Sequence, residues 1–305
     1  MQLRRHFLPS IRSKTAKLVL ACLLPTVIGF GALIYDSYQR ERTHLLREAE
    51  RMAQWLKSAV ERDLETSETA ARALATSPSL QTGDLDAFRV QARALIHPDL
   101  PAQAFVLSDI TGKPLVHTRF DAGAALPPNP NAASIARAVA SGQIETSGLA
   151  RLGPGHPWMV AVDVPVRIDG KVRYVISAPL TPERLSTLFG ALDLPKEWAA
   201  GVYDAKHATI ARTERQNASL GKLANPALAA AINKSGSGML ELTTRSGLPV
   251  FSVYTRMPKR QWVTVIGVPR AAANTTLRNS LASVFLSVAG LIAIGFAIAW
   301  RMGGR

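Results

Sequence analysis

Two apolar segments without a single charge stand near the ends of this 305-residue chain, and they limit every fold it can adopt. The first is Leu18–Ile34 and the second Leu281–Trp300. A helix crosses the hydrocarbon core of a bilayer with roughly 17–25 such residues, so the pattern predicts membrane spans over residues 18–35 and 281–300. All 22 acidic side chains lie between them. The simplest expectation is one folded domain tethered to a membrane at both ends.

Basic residues set the orientation. Arg4, Arg5, Arg12, Lys14 and Lys17 precede the first segment with no acid among them, and Arg301 and Arg305 follow the second. Basic flanks stay cytoplasmic, whereas long loops cross largely regardless of their own charge. Residues 1–17 and 301–305 are therefore expected inside a bacterial inner membrane, with the large domain periplasmic or extracellular. A cleaved signal peptide is the competing reading. Gly29-Phe30-Gly31 offers a small-residue site, but the apolar run continues through Ile34. Val19-Leu20-Ala21-Cys22 has too few apolar residues before it for a lipoprotein signal. Cys22 is the one cysteine, so no intrachain disulfide can form.

The net charge of +14 is half accounted for by those seven flanking residues. The remainder is spread along the loop without basic runs interleaved with aromatics, which excludes the usual nucleic-acid footprint. A mild attraction for anionic ligands or the bilayer surface is what the charge supports.

A helical pattern follows the first segment, over residues 36–78. Leu45, Ala49, Met52, Leu56 and Ala59 recur at spacings of three and four, between mixed-sign charges, and no Gly or Pro intervenes before Pro78. At about 1.5 Å per residue it would run roughly 60 Å. It can pack on its own domain or, as a stalk, share its upper turns with a second copy.

Beyond it the chain repeats. Ala104–Thr118 reads as strand, turn, strand, and Ala200–Thr213 has the same rhythm about 95 residues later. Alanine-rich helices follow, Ala132–Ala140 and Pro226–Ile232. Paired strands come next: Met159–Val166 with Val172–Ala178, and Val250–Thr255 with Trp262–Val268. Val160, Val162, Val164 and Val166 share one parity, as on one face of a strand. Asp169-Gly170 is a two-residue hairpin turn, since both residue types tolerate positive φ. Each repeat reads as strand, strand, helix and three strands, and a helix over Pro182–Leu194 joins them.

This order resembles the double Cache family of extracellular sensor domains, over residues 18–300. The resemblance rests on the helix after the first segment, on the Asp109-Ile110-Thr111-Gly112 and Asp204-Ala205-Lys206-His207 turns, and on Trp262–Pro269 running toward the second segment. That ending is similar to those of sensor domains in bacterial histidine kinases. It implies an α+β fold: a long N-terminal helix and two PAS-like antiparallel-sheet modules in tandem, a membrane-distal one at 79–194 and a membrane-proximal one at 195–272, flanked by two transmembrane helices. The family passes its signal to a kinase, methyl-accepting or cyclase module, whereas only five residues follow Trp300 here. The expectation is a sensor half without its output, a truncated product or a partner-coupled receptor. The aromatic-Arg-aromatic signature of the amino-acid-binding subset is not matched, because Arg151, Trp158 and Tyr174 stand at other spacings.

No catalytic constellation is apparent. The six histidines are scattered, with no metal-ligand spacing, and neither a Gly-x-Ser-x-Gly elbow nor a phosphate-cradling Gly-rich loop occurs. The chain reads as non-enzymatic, without a cofactor. The resemblance implies a small-molecule pocket in the distal module, between its sheet and covering helix. Candidate ligand-binding residues are His117, Arg119, Arg151, Trp158, Asp163, Arg173 and Tyr174: aromatics for a wall, arginines for a carboxylate. Expected partners are a small molecule, the bilayer and a second copy, with no nucleic acid. The alternative class is a membrane-anchored periplasmic scaffold that binds a protein.

Overall fold

The computed structural model describes residues 11–213, 216–244 and 247–272, together with residues 286, 290 and 293. Residues 48–269 form one compact unit, and residues 1–47 with 270–305 form another. Helix α1 is longer than the sequence predicts, Ile11–Ala75, because the first apolar segment continues into the amphipathic pattern without a break. Among the described residues no helix is long and apolar enough to cross a membrane. The second apolar segment lies almost wholly outside the described residues, and so do most side chains of the first.

After α1 come α2 (Pro78–Thr82) and α3 (Leu85–Ala94), for which the sequence reading had no element. Asp84 caps α3 by accepting from the Ala87 N–H. The first module continues with β1 (Val106–Asp109), β2 (Pro114–His117), α4 (Ala132–Ser141), β3 (Glu145–Thr146), β4 (Val160–Ile168) and β5 (Lys171–Leu180). Helix α5 (Pro182–Gly190) leads to the second module: β6 (Ala199–Tyr203), β7 (Thr209–Arg212), α6 (Gln216–Ser219), α7 (Pro226–Lys234), β8 (Ser237–Thr243), β9 (Pro249–Arg256) and β10 (Val263–Pro269). The sheet orders are β2-β1-β5-β4-β3 and β7-β6-β10-β9-β8, the same antiparallel topology twice. The internal repeat of the sequence is thus a repeat of structure.

The repeated turns have one cause. In β1–β2 the Asp109 carboxylate accepts from the backbone N–H of Thr111 and Lys113 and from the Thr111 hydroxyl, which lowers its pKa. In β6–β7 Asp204 accepts from the N–H of Lys206 and Ala208 in the same way. An aspartate bonding its own backbone two and four residues on fixes a tight reversal. Asp169 and Gly170 take φ of 50° and 76°, the two left-handed residues that this hairpin requires.

Each sheet has two faces. Thr264 donates to the Ala53 carbonyl and Gln54 to Thr255, so α1 backs one face of the second sheet. Across the first sheet, Val160, Val162, Val164 and Val166 are buried together with Ile176, Ala178 and Leu180, as is the α1 stripe of Val60, Leu64, Ala71 and Leu74. The opposite faces carry α4 and α7. The modules also bind each other. Arg260, in the β9–β10 turn, reaches Glu68 of α1 at 2.7 Å and Thr146 of β3 at 2.6 Å, and the second oxygen of Asp204 accepts from the Leu149 N–H at 3.1 Å.

Asp204 is 2% exposed and satisfies three N–H groups, one of them in the other module. Asp204→Ala is expected to lower unfolding free energy by about 2–4 kcal/mol, and Asp109→Ala, in a more solvated turn, by less than about 1.5 kcal/mol. Denaturant titration of the two variants checks the ranking.

Candidate functional site

Antiparallel register puts His117, Val106, Ser177, Asp163 and Glu145 in one row across the first sheet, on the face that α4 covers. Asp163 is completely buried there, where an ion pair would be expected. Its partners are neutral instead: Asn131 donates to it at 2.7 Å, Ser177 at 2.5 Å, and the Ser134 hydroxyl donates to its other oxygen. Burial pushes its pKa up to about 6, against the three hydrogen bonds, which favour the carboxylate. Nearby, Asn129 donates to the Ser108 hydroxyl at 2.7 Å and to the Gly112 carbonyl at 2.9 Å.

The second module shows what this interface would otherwise contain. Superposing the repeats by register and bulge position makes Ser108 equivalent to Tyr203, Ser177 to Val265 and Asp163 to Tyr254. Counting from the helix N-caps, Ser134 matches Leu228. All four counterparts belong to one apolar core cluster under α7. The N-cap asparagines differ likewise: Asn225 caps its helix by accepting from Ala227 N–H, whereas the Asn131 amide is turned away from its helix onto Asp163. Small polar side chains thus replace a core at the α4–sheet interface. Asn131 and Ser134 also line a cleft of about 1140 Å³ between the modules, with Glu68, Arg137, Asp204 and Arg260.

The structure disperses the residues singled out from the sequence. Asp163 is central, but Tyr174 has the opposite parity on β5 and shares the Val166 face. Arg173 is on the Asp163 face yet exposed, four residues from Ser177. His117 is three strands away in the row, about 14 Å at ordinary strand spacing. Its Nδ1 accepts from the Arg119 N–H, its ring meets Phe120 edge-on, and burial with the Arg119 charge brings its pKa down to about 4. Arg119 itself donates to Gln103. Arg151 and Trp158 lie together at the module boundary, the guanidinium 4.3 Å from the ring centroid. The indole there faces Gly221 of the second module, where a Cβ would come within 2.9 Å of the ring. These two residues hold each other, and Trp158 also packs on the neighbouring module.

Asn131, Ser134, Ser108 and Ser177 escaped the sequence reading because single polar residues in strands and at helix starts are common. The usable signal was the repeat itself, which sets Asp163 against Tyr254 and Ser177 against Val265.

No protein-family model matches the sequence, and no curated protein does. Solved structures do. The extracellular domain of the histidine kinase rpHK1S-Z16 aligns with TM-score 0.61 at 15% identity, covering 76% of this chain and 98% of that domain. The ligand-binding domain of the Pseudomonas aeruginosa PAO1 amino acid chemoreceptor PctB, in complex with L-Gln, aligns with TM-score 0.54 at 15% identity, over 80% of this chain and 98% of its own. That of the Campylobacter jejuni chemoreceptor Tlp3, in complex with L-valine, gives 0.55 at 14%, over 78% and 98%. This chain has the tandem PAS-like, Cache-type fold of extracellular sensor domains.

Gly221 has φ of 73°, and its Cβ position is occupied by the Trp158 indole. Gly221→Ala is expected to destabilise by more than about 1 kcal/mol and to increase solvent quenching of Trp158 fluorescence. A Trp158-only background, with the other tryptophans replaced by Phe, reads the second effect.

Proposed function

We propose that this chain is the small-molecule sensor of a bacterial membrane receptor and is itself non-catalytic. The observation that carries the reading is the contrast between the repeats: one α–sheet interface is filled by an apolar core, and its equivalent holds Asp163, Asn131, Ser134 and Ser177 beside an open cleft. A binding interface needs a few aimed polar groups in a mostly apolar frame, and Ile135, Ala138 and Val175 supply that frame. The similar domains of PctB and Tlp3, in complex with L-Gln and L-valine, support a ligand of amino-acid size.

The two charge-free segments support membrane tethering at both ends with cytoplasmic termini. Ile28, Leu33 and Tyr35 of α1 are 63–65% exposed, suited to lipid rather than water. Binding would move α4 and β3, the Arg260 contact would carry the shift to the β9–β10 hairpin, and β10 would pass it to the segment after Pro269. A ligand biases such a switch only through unequal affinity for its two states. The output belongs to a cytoplasmic module of the histidine-kinase or chemoreceptor type.

The test is a thermal-shift screen of the full chain in detergent against amino acids, amines and small organic acids. A binder at about 100 times its Kd should add about 2.7 kcal/mol. Ser134→Leu and Ser177→Val copy the residues of the second module; each removes a hydrogen bond from buried Asp163 and is expected to lower stability, and in protein that circular dichroism shows to be folded to weaken the hit at least about tenfold. A hit unaffected by either places the site elsewhere. The absence of any hit from folded protein favours the scaffold that binds a protein partner.

A further inference from the structure

Asp163 has a property that ligand binding does not require. A carboxylate with no exposed surface and only neutral hydrogen-bond donors is the least favoured form of that group in a protein interior. At the same site the protonated acid can be fully satisfied. The Ser134 hydroxyl has two acceptors within reach, the second carboxylate oxygen of Asp163 and the Asn131 carbonyl at 3.0 Å. When Asp163 is ionised, Ser134 donates to it. When Asp163 takes a proton from solvent, its O–H can donate to Ser134 Oγ, whose own hydrogen turns to the Asn131 carbonyl. One proton and one rotation of the Ser134 hydroxyl interconvert the states with no orphaned polar atom.

Among the charged groups around Asp163, Arg137 is the one that bears on its ionisation, favouring the carboxylate against the larger effect of burial. From β3 the facing group is Glu145, directly opposite in register, and from α4 it is Arg137; these two are paired with each other at 3.0 Å. From β5 come Ser177 and, farther along the same face, the exposed Arg173. Beyond β5, β1 presents Ser108, and the row ends at His117 of β2, which titrates near 4. The counterpart in the second repeat, Tyr254, makes neutral hydrogen bonds to the Ala231 carbonyl and the Ser235 hydroxyl. A carboxyl group therefore occupies only one of the two equivalent positions.

We propose that Asp163 is a proton-operated clamp: protonation holds α4 on the first sheet, and ionisation at neutral pH loosens it. The clamp acts with or without a ligand and stands independently of the sensor reading. The sign follows from linkage. With α4 lifted the carboxyl is solvated and keeps its ordinary value of 3.8, and with α4 seated burial raises it to about 6. The seated form thus binds the proton more tightly. The stabilisation is full below the ordinary value and is lost as pH rises through about 6. Between pH 7 and pH 5 the seated-to-lifted ratio should rise about tenfold.

Hydrogen exchange of the α4 amides in the full chain in detergent, corrected for intrinsic rates, reads that ratio. The expected result is about tenfold greater protection at pH 5 than at pH 7, and equal protection at both in Asp163→Asn. Unchanged protection in the wild type, or a change that survives in the variant, overturns the proposal. Carboxyl-carbon NMR of the wild type decides independently of whether the variant folds. One aspartate titrating near 6 is expected, and titration of every aspartate below about 5 sinks the clamp.

Discussion

Two five-stranded sheets need four faces covered, and that constraint organises residues 48–269. Helix α1 takes one side: its stripe from Ala49 to Leu74 is buried, and its carbonyl at Ala53 accepts from the second sheet. The remaining two faces fall to short helices, α4 and α7. A ten-residue helix such as α4 cannot seal a sheet face alone, so its stability depends on what lies beneath it. Under α7 that is Tyr203, Leu228, Tyr254 and Val265, an apolar cluster. Under α4 it is a buried acid with three neutral partners.

The two interfaces differ in what holds them. Apolar burial holds the second module together. The first module gives up part of that burial at the α4 interface, where a buried polar group is tolerable only while every hydrogen bond is made. Regions of lower local stability are those that can open. The contacts joining the modules stand beside that interface: Thr146 is next to Glu145, which lies opposite Asp163 in the strand register, and Thr146 is also held by Arg260. Glu68 fixes the same arginine to α1, so β3, the helix and the β9–β10 turn meet at one side chain.

Much of this was legible before any coordinates. The turns at Asp109 and Asp204, the Asp169-Gly170 hairpin and the valine parity of β4 are local, set by backbone chemistry within a few residues, and they appear as read, with the aspartate-to-backbone bonds added by the structure. Helix α2, at five residues, is too short for a periodicity to emerge, and α3 lacks the alanine-rich composition by which α4 and α7 were read. Of the residues singled out from the sequence, Asp163 is the one that lies under α4 among buried polar partners. Arg151, Trp158 and Tyr174 have the chemistry of a binding wall, but two of them pack at the module boundary and the third faces away from α4.

The sequence by itself determined the repeat, the turns, which strand residues share a face, and the two charge-free segments at the ends. These depend on intervals of two, of three to four, or of a run of residues along the chain. Only the tertiary structure decided which polar residues meet. Asn131, Ser134, Asp163 and Ser177 come from a helix and two strands up to 46 residues apart. Their association depends on register and on the seating of α4, and burial then makes an ordinary aspartate a group that titrates near 6. Spacing along a chain sets direction and face, whereas removal from water is set by what packs above.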